Sequence, residues 1–278
     1  MIALTLAGSL MGCMTMDSFF FNGTPVTSYA LGGDIIPPED VEQVTFTTDD
    51  GWTDYGVWAH QPDPNAPVFV YFHGNADNID HYWLNNDDPT KPGRVEFYWQ
   101  MGFNTFIFDY RGYGMTGGDP TYTTLQTDGD SAAEYVMSAT GLTSDQLYYH
   151  ALSLGGVPAL KAAADYPPKA MSTEDVFANI SMIVNDASDL DLPPGWFVQD
   201  DWDNAAAAAD VHVPILIMHG DSDTYINPYS AELIYAQAND PRVIWHPPGC
   251  DHDTTPDIDP TEYIAHLNGW ISGADWPS

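Results

Sequence analysis

Short runs of consecutive apolar residues recur along the chain and predict buried β-strands. Runs of this kind, four to eight residues long, are typical of strands covered on both faces of a parallel sheet. They occupy residues 67–72, 103–109, 146–151, 181–186, 214–219 and 242–247. Residues 41–48 and 55–60 instead alternate apolar and polar positions, and Asp49-Asp50-Gly51 between them indicates an antiparallel hairpin.

Segments with helical periodicity separate these strands. Helices are predicted over residues 95–101, 123–139, 153–165, 228–238 and 261–272. A hairpin followed by alternating strands and helices indicates one α/β domain, with a mostly parallel, twisted sheet and helices on both faces. Residues 76–94 and 187–210 are longer irregular connections, and the second is short for a cap, which predicts a short cap or none.

The composition excludes several classes of protein. With 44% hydrophobic and 13% aromatic residues, the chain can form a packed core and is not a disordered protein. It has 40 Asp and Glu residues against 6 Lys and Arg, a formal net charge of −34. Such a surface repels nucleic acids and anionic lipids, so no nucleic-acid partner is expected. The acidity is spread along the whole chain, as in a protein adapted to salt or an ordinary acidic secreted protein.

The first residues resemble an export signal. Residues 1–12 are apolar and too few to span a bilayer, but they suit the apolar region of a signal peptide. Leu10-Met11-Gly12-Cys13 resembles the lipobox of bacterial lipoproteins, in which the cysteine is acylated, although no Lys or Arg precedes it. This interpretation predicts an extracytoplasmic protein, secreted or held at the envelope by a lipid on Cys13, with residues 13–40 as a tether. The alternative is an apolar segment with an incidental cysteine.

A candidate nucleophile lies where the predicted strand 146–151 meets a helix. A serine on a sharp strand-to-helix turn needs small residues two positions before and after it, and Ala151 and Gly155 flank Ser153 in this way. The turn exposes the Ser153 hydroxyl and directs the Leu154 N–H, an oxyanion donor, toward the same point. The structural alternative is a serine that only caps the helix.

A second oxyanion donor is predicted in the loop after strand 67–72. Gly74 permits a tight turn there, and a backbone N–H just beyond it, from Asn75 or Ala76, could face the nucleophile. The structural alternative is a glycine that only ends the strand.

Two further strand-end loops supply a candidate acid and base. Asp221 and Asp223 follow the strand at 214–219, and His252 follows the strand at 242–247. The chain order Ser, Asp, His is one that serine hydrolases use. We expect Asp223 to hold the His252 ring because it lies further over the sheet, whereas Asp221 bonds backbone N–H groups of the turn.

Together these motifs resemble the α/β-hydrolase superfamily, and within it the Bem46-like branch. The matching stretches are YFHGNADNI at 71–79, FDYRGYGMTGG at 108–118, HALSLGG at 150–156, MHGDSDTYINP at 218–228 and GCDHD at 249–253. The resemblance extends over residues 41–272, and residues 41–278 form the expected hydrolase domain. The sequence departs from the pattern at Asp77, where a glycine is common. Arg111, in the second stretch, is expected to pair with a carboxylate and fix its loop.

The resemblance implies a serine esterase, thioesterase or related acyl hydrolase with no cofactor. The leading hypothesis among these is a secreted or lipid-anchored serine carboxylesterase, and no metal site is expected. Ser153 would be the nucleophile that forms the acyl-enzyme, Asp223 the acid and His252 the base, with Asn75 and Leu154 as oxyanion donors. The partner that this hypothesis predicts is a small neutral ester, and membrane contact is expected only through the lipid anchor. A peptidase or thioesterase with the same triad, or a non-catalytic binding lipoprotein, are the alternatives.

We expect the melting temperature to rise with NaCl concentration. Crowded carboxylates with few cations repel one another, and the screening length falls from about 8 Å at 0.15 M salt to about 3 Å at 1 M. Thermal unfolding followed by circular dichroism from 0.1 to 2 M NaCl measures the effect. A flat or falling melting temperature would show that the acidity is no adaptation to salt.

Overall fold

An eight-stranded sheet forms the centre of the molecule in the computed structural model, which describes residues 21–85, 88, 90–183 and 202–274. The strands are β2 (Val41–Thr47), β3 (Thr53–Ala59), β4 (Val68–Phe72), β6 (Asn104–Asp109), β7 (Leu147–Leu152), β8 (Ala170–Glu174), β9 (Ile215–Met218) and β10 (Arg242–Trp245). Their order is β10-β9-β8-β7-β4-β6-β3-β2. Only the β2–β3 and β3–β6 pairs are antiparallel, which confirms the predicted mostly parallel sheet. The predicted signal peptide, Cys13 and most of the 187–210 connection lie outside the described residues.

Helices cover both faces of the sheet. They are α1 (Ile79–Trp83), α2 (Arg94–Gln100), α3 (Tyr122–Thr140), α4 (Gly156–Asp165), α5 (Asn204–Ala208), α6 (Tyr229–Gln237), α7 (Thr255–Ile258) and α8 (Pro260–Ser272). Helices α3 to α6 contribute to one hydrophobic core, and α1, α2 and α8 to the other. In β4, Val70 joins the first core and its neighbour Tyr71 the second, as the two-residue repeat of a strand requires. None of the helices in these ranges combines the length and apolar character needed to cross a bilayer.

The strand predicted at residues 181–186 is wrong. Residues 181–183 are helical, and the sheet position between β7 and β9 belongs to β8. Every residue of β8 is buried, but the strand contains Ser172, Thr173 and Glu174. The Ser172 hydroxyl lies 2.8 Å from Nδ1 of His150 on the neighbouring strand. Polar side chains of β8 are buried against polar groups of neighbouring elements. Its sequence therefore lacks the apolar run that predicts the other parallel strands.

A buried ion pair anchors the end of β8. The Arg94 guanidinium, on α2, donates to both carboxylate oxygens of Glu174 at 3.0 Å. Tyr263 on α8 donates its hydroxyl to the same carboxylate at 2.7 Å. Burial alone would raise the pKa of Glu174, but the Arg94 charge and the His150 contact lower it to about 2. This network ties α2, α8 and two central strands together.

The sequence predicts a tether over residues 13–40. In the structure, the described N-terminal part of the chain instead packs on the domain. Strand β1 (Asn22–Gly23) pairs in parallel with β5 (Ala76–Asp77). The Tyr29 hydroxyl donates to Asp109 at 2.6 Å, and Tyr29 and Ile36 are buried in the second core. Because these apolar side chains leave water on docking, residues 22–36 are part of the folded body, and the domain begins before the predicted boundary at residue 41.

We predict that Glu174→Gln lowers the free energy of unfolding at pH 7 by roughly 3 kcal/mol, because the buried Arg94 loses a charged partner. Since the folded pKa of Glu174 is depressed, its stabilisation is present above the unfolded value of about 4.3 and is lost as the pH falls toward 2. The difference between wild type and variant should therefore shrink from pH 5 to pH 3, as measured by urea denaturation.

The exposed Glu134→Gln change is the matched control for this measurement. It should leave the stability within about 0.5 kcal/mol of wild type throughout. A Glu174→Gln variant whose stability runs parallel to wild type down to pH 3 would contradict the depressed pKa.

Candidate active site

Ser153 lies on a strained turn between β7 and α4. Its backbone has a φ of +51°, in the left-handed region that residues other than glycine rarely adopt. Residues Ser153–Gly155 form a 3-10 turn that leads directly into α4. A Cβ at Gly155 would lie 2.1 Å from the carbonyl oxygen of Phe72, so this position requires glycine. The turn is the strand-to-helix elbow that the sequence predicts.

Asp223 and His252 form a hydrogen-bonded pair. Nδ1 of His252 lies 2.9 Å from Oδ2 of Asp223, and Nε2 of His219 lies 3.0 Å from the same oxygen. The other carboxylate oxygen accepts the backbone N–H groups of Tyr225 and Ile226, both at 2.8 Å. Burial opposes the charge of Asp223, yet the bonds to the two histidines hold its pKa well below the usual value. Asp223 is therefore an ionised carboxylate at neutral pH.

The environment of His252 favours its protonated form. Burial alone would lower the pKa of His252, but the hydrogen bond to Asp223 and the charges of Asp175 and Asp253 raise it overall. Since Nδ1 faces a carboxylate, the neutral ring carries its proton there, and Nε2 is the basic nitrogen. His252 can accept a proton at Nε2 and hold it.

Asp221, the other candidate acid, has a different position. Its Oδ1 accepts the N–H of Gly249 at 2.7 Å and the hydroxyl of Ser222 at 2.9 Å, and its side chain is exposed. Asp221 therefore links its own turn to the start of the histidine loop, whereas Asp223 contacts the ring.

Ser153, His252 and Asn75 all line one cavity of about 280 Å³. Asn75 follows β4, and its Oδ1 accepts the Tyr113 hydroxyl at 2.6 Å and the backbone N–H of Asn22 at 2.9 Å. Leu154, the other predicted oxyanion donor, is buried directly after Ser153. N–H groups in the first turn of a helix have no acceptor within that helix, so the Leu154 N–H is a suitable donor beside the nucleophile.

The structure explains two features noted in the sequence, the departure at Asp77 and the pairing expected for Arg111. Asp77 has a φ of +47°, a conformation that glycine adopts easily and that Asp tolerates better than most residues. Its carboxylate accepts the Thr24 hydroxyl at 2.7 Å and so holds the N-terminal segment against this loop. Arg111 binds Asp128 through Nε at 2.8 Å and Asp50 through both terminal nitrogens, which confirms the expected pairing.

Asp175 is a site residue that the sequence analysis missed. It follows β8 directly and has a φ of +51°. Its Oδ1 accepts the N–H of Gly220, in the Asp223 loop, at 2.9 Å, and its Oδ2 accepts the N–H of Asp253, next to His252, at 2.8 Å. One buried carboxylate thus joins the loops of the acid and the base. Burial, reinforced by the charge of Glu174, raises the pKa of Asp175 to about 6. A strand assigned at 170–174 would have placed Asp175 at the functional edge of the sheet.

The described residues contain one group of three His, Cys, Asp or Glu side chains that could hold a metal ion. It consists of Asp175, Asp223 and His219, whose possible ligand atoms all lie within 4.8 Å of one another. Their carboxylate oxygens already accept protein N–H groups or face histidine nitrogens. The donor set therefore fits a hydrogen-bonded support for His252 better than a cation site.

Known proteins resemble this chain in sequence and fold. No model of a protein family matches it. The uncharacterised protein YfhR of Salmonella typhi is 28% identical over 233 residues, covering 77% of this chain and 75% of its own length. Protein bem46 of Schizosaccharomyces pombe is 25% identical over 227 residues, covering 78% and 72%.

The esterase Pf2001 of Pyrococcus furiosus superposes with a TM-score of 0.70 over 93% of this chain and 98% of its own, at 16% identity. The chain thus has the α/β-hydrolase fold and Bem46-like relatives.

We predict that Asp223→Asn lowers the pKa of His252, since it removes the carboxylate that stabilises the protonated ring. The stability that this pair contributes is fully present below the unfolded histidine pKa of about 6.5 and is lost as the pH rises through the folded value. NMR titration of the His252 ring in both proteins measures the change.

Asp221→Asn is the matched control, two residues away in the same loop, and should leave the His252 titration unchanged. A larger effect from Asp221→Asn than from Asp223→Asn would move the supporting role to Asp221.

Proposed function

We propose that this protein is a serine hydrolase of the carboxylesterase type that cleaves small neutral esters through an acyl-enzyme on Ser153. The observation that carries the proposal is the Asp223–His252 hydrogen bond, 2.9 Å long, on a histidine that lines the same cavity as Ser153. A strained nucleophile, an oriented base and an ionised acid at one sheet edge are the components of a catalytic triad.

In this mechanism Nε2 of His252 takes the hydroxyl proton as the Ser153 oxygen attacks the ester carbonyl carbon. The carbonyl oxygen becomes an oxyanion, which accepts hydrogen bonds from the Leu154 and Asn75 N–H groups. Collapse of the intermediate breaks the bond to the alkoxy group, which leaves as an alcohol with the proton from His252. Water, deprotonated by His252, then attacks the acyl-enzyme, and the acid leaves as Ser153 regains its proton.

Two carboxylates support His252 in different ways. Asp223 fixes the ring tautomer and stabilises the imidazolium that forms in each half-reaction. Asp175 is a positioning residue, because its carboxylate accepts backbone N–H groups of the two loops that carry Asp223 and His252. Its raised pKa means that protonation near pH 6 weakens this link, since a protonated carboxyl accepts fewer N–H groups.

Neutral esters fit this site better than anionic substrates. The chain has a formal net charge of −34, so an anionic substrate would be repelled on approach. Peptides and thioesters could react through the same three side chains, and a panel of p-nitrophenyl esters, acyl thioesters and peptide anilides separates these activities.

We predict that Ser153→Ala and His252→Ala each reduce kcat for p-nitrophenyl acetate by about 10⁶-fold, because members of a triad act as one unit. A fluorophosphonate probe should label the wild type on Ser153 and leave Ser153→Ala unlabelled. Steady-state kinetics and mass spectrometry of the labelled peptide provide the measurements.

Ser138→Ala, on the exposed surface of α3, is the control and should keep wild-type turnover. Circular dichroism establishes that each variant is folded. Near wild-type hydrolysis by folded Ser153→Ala protein would exclude the mechanism, and an unlabelled, inactive wild type would favour the non-catalytic alternative.

A further inference from the structure

A second, larger cavity adjoins the one that contains Ser153. It has a volume of about 380 Å³, within the range typical of small-molecule sites. Tyr82 and Asp253 line both cavities, and Asp253 is the neighbour of His252 in the chain. The Tyr82 hydroxyl also accepts the N–H of Ala76, beside Asn75, at 3.2 Å. The shared wall therefore lies against both the predicted oxyanion loop and the base.

The walls of this second cavity combine apolar surface with paired polar groups. It lies between α1 and α2 on one side and α7 and α8 on the other, and its apolar lining includes Tyr82, Leu84, Phe97, Pro256, Pro260 and Ile264. A chain of carbon atoms placed here would be removed from water on several sides, which favours binding in proportion to the apolar area covered.

The charges on its wall are compensated internally. Lys91 lies 3.6 Å from the Asp257 carboxylate, and His81 lies 3.5 Å from Asp77. Arg94 is bound by Glu174 and by Asp253. The lining also includes two of the six Lys and Arg residues of a chain that has 40 acidic ones. The cavity is thus close to neutral within a strongly acidic protein, and a neutral apolar ligand meets neither repulsion nor an unpaired charge there.

We propose that this cavity is a subsite for an apolar chain of the ester substrate, so that the preferred substrates are neutral esters with a medium-length chain. The proposal rests on the serine hydrolase function proposed above. The ester carbonyl lies at Ser153 in the first cavity, and the chain extends past Tyr82 and Asp253 into the second. The chain belongs to either the acid or the alcohol half of the ester, since both meet at the same carbonyl carbon.

The experiment compares two series of substrates, p-nitrophenyl esters from acetate to octanoate and alkyl acetates from ethyl to octyl. In one of the series kcat/KM should rise with chain length, by up to about fourfold for each methylene group that is fully buried. The series that responds identifies the half of the ester that occupies the cavity.

Ile264→Trp, on α8, fills the cavity and should lower kcat/KM for the octyl or octanoyl substrate at least tenfold, with less than a twofold change for the two-carbon substrate. Phe97→Ala enlarges it and should move the optimum to longer chains. Ala265→Trp, exposed on the same helix and outside the cavity, should leave both substrates unaffected. Equal losses on short and long substrates in Ile264→Trp, or no rise with length in either series, would overturn the proposal.

A binding measurement separates this inference from the proposed chemistry. Ser153→Ala protein should bind the six-carbon ester of the series that responds, ethyl hexanoate or hexyl acetate, at least tenfold more tightly than ethyl acetate by calorimetry, and adding Ile264→Trp should remove the difference. Selective binding by a protein whose wild type hydrolyses no ester would refute the proposed function and retain the subsite. Hydrolysis without any chain-length preference would refute the subsite and retain the function.

Discussion

The burial of the Arg94 guanidinium is the constraint on which much of this structure depends. An isolated charge in the interior costs several kcal/mol, and it persists only where opposite charges and hydrogen bonds surround it. Glu174 meets this requirement at the end of β8, and Asp253 meets it from the loop of His252. The interaction that stabilises the guanidinium therefore also fixes the position of the candidate base relative to the sheet.

The end of β8 contributes to the site a second time, through Asp175, the residue that follows Glu174. Asp175 accepts backbone N–H groups from the loops of Asp223 and His252, and its neighbour Glu174 is connected to the His252 loop through Arg94. With only six Lys and Arg residues in the chain, cations are concentrated where they bind two carboxylates at once. Arg94, Arg111 and Lys161 each do so.

The sequence predicts those parts of the fold in which apolar burial and backbone geometry dominate. The apolar runs identify β4, β6, β7, β9 and β10 to within about two residues, and the small residues around Ser153 identify its turn. The Asp–His pairing follows from strand-end position, and the structure brings Asp223 and His252 together as that argument expects.

What the sequence does not reveal depends on long-range polar pairing. Strand β8 is buried through Ser172, Thr173 and Glu174, whose partners lie far away in the chain, so the local pattern resembles a loop. Asp175 was missed for the same reason. The docking of residues 22–36 likewise depends on contacts with Asp77 and Asp109 that no local periodicity records.

The described N-terminal segment begins next to the candidate active site. Asn22 is exposed and lines the cavity that Ser153 and His252 also line, so the described chain begins beside the rim of that cavity. Cys13 is nine residues earlier, and nine extended residues reach at most about 30 Å. If Cys13 is acylated, as its lipobox-like context predicts, the rim is held close to the membrane plane. The rate of turnover then depends on the concentration of ester in the lipid layer. Esters that partition into the bilayer would reach the protein by lateral diffusion.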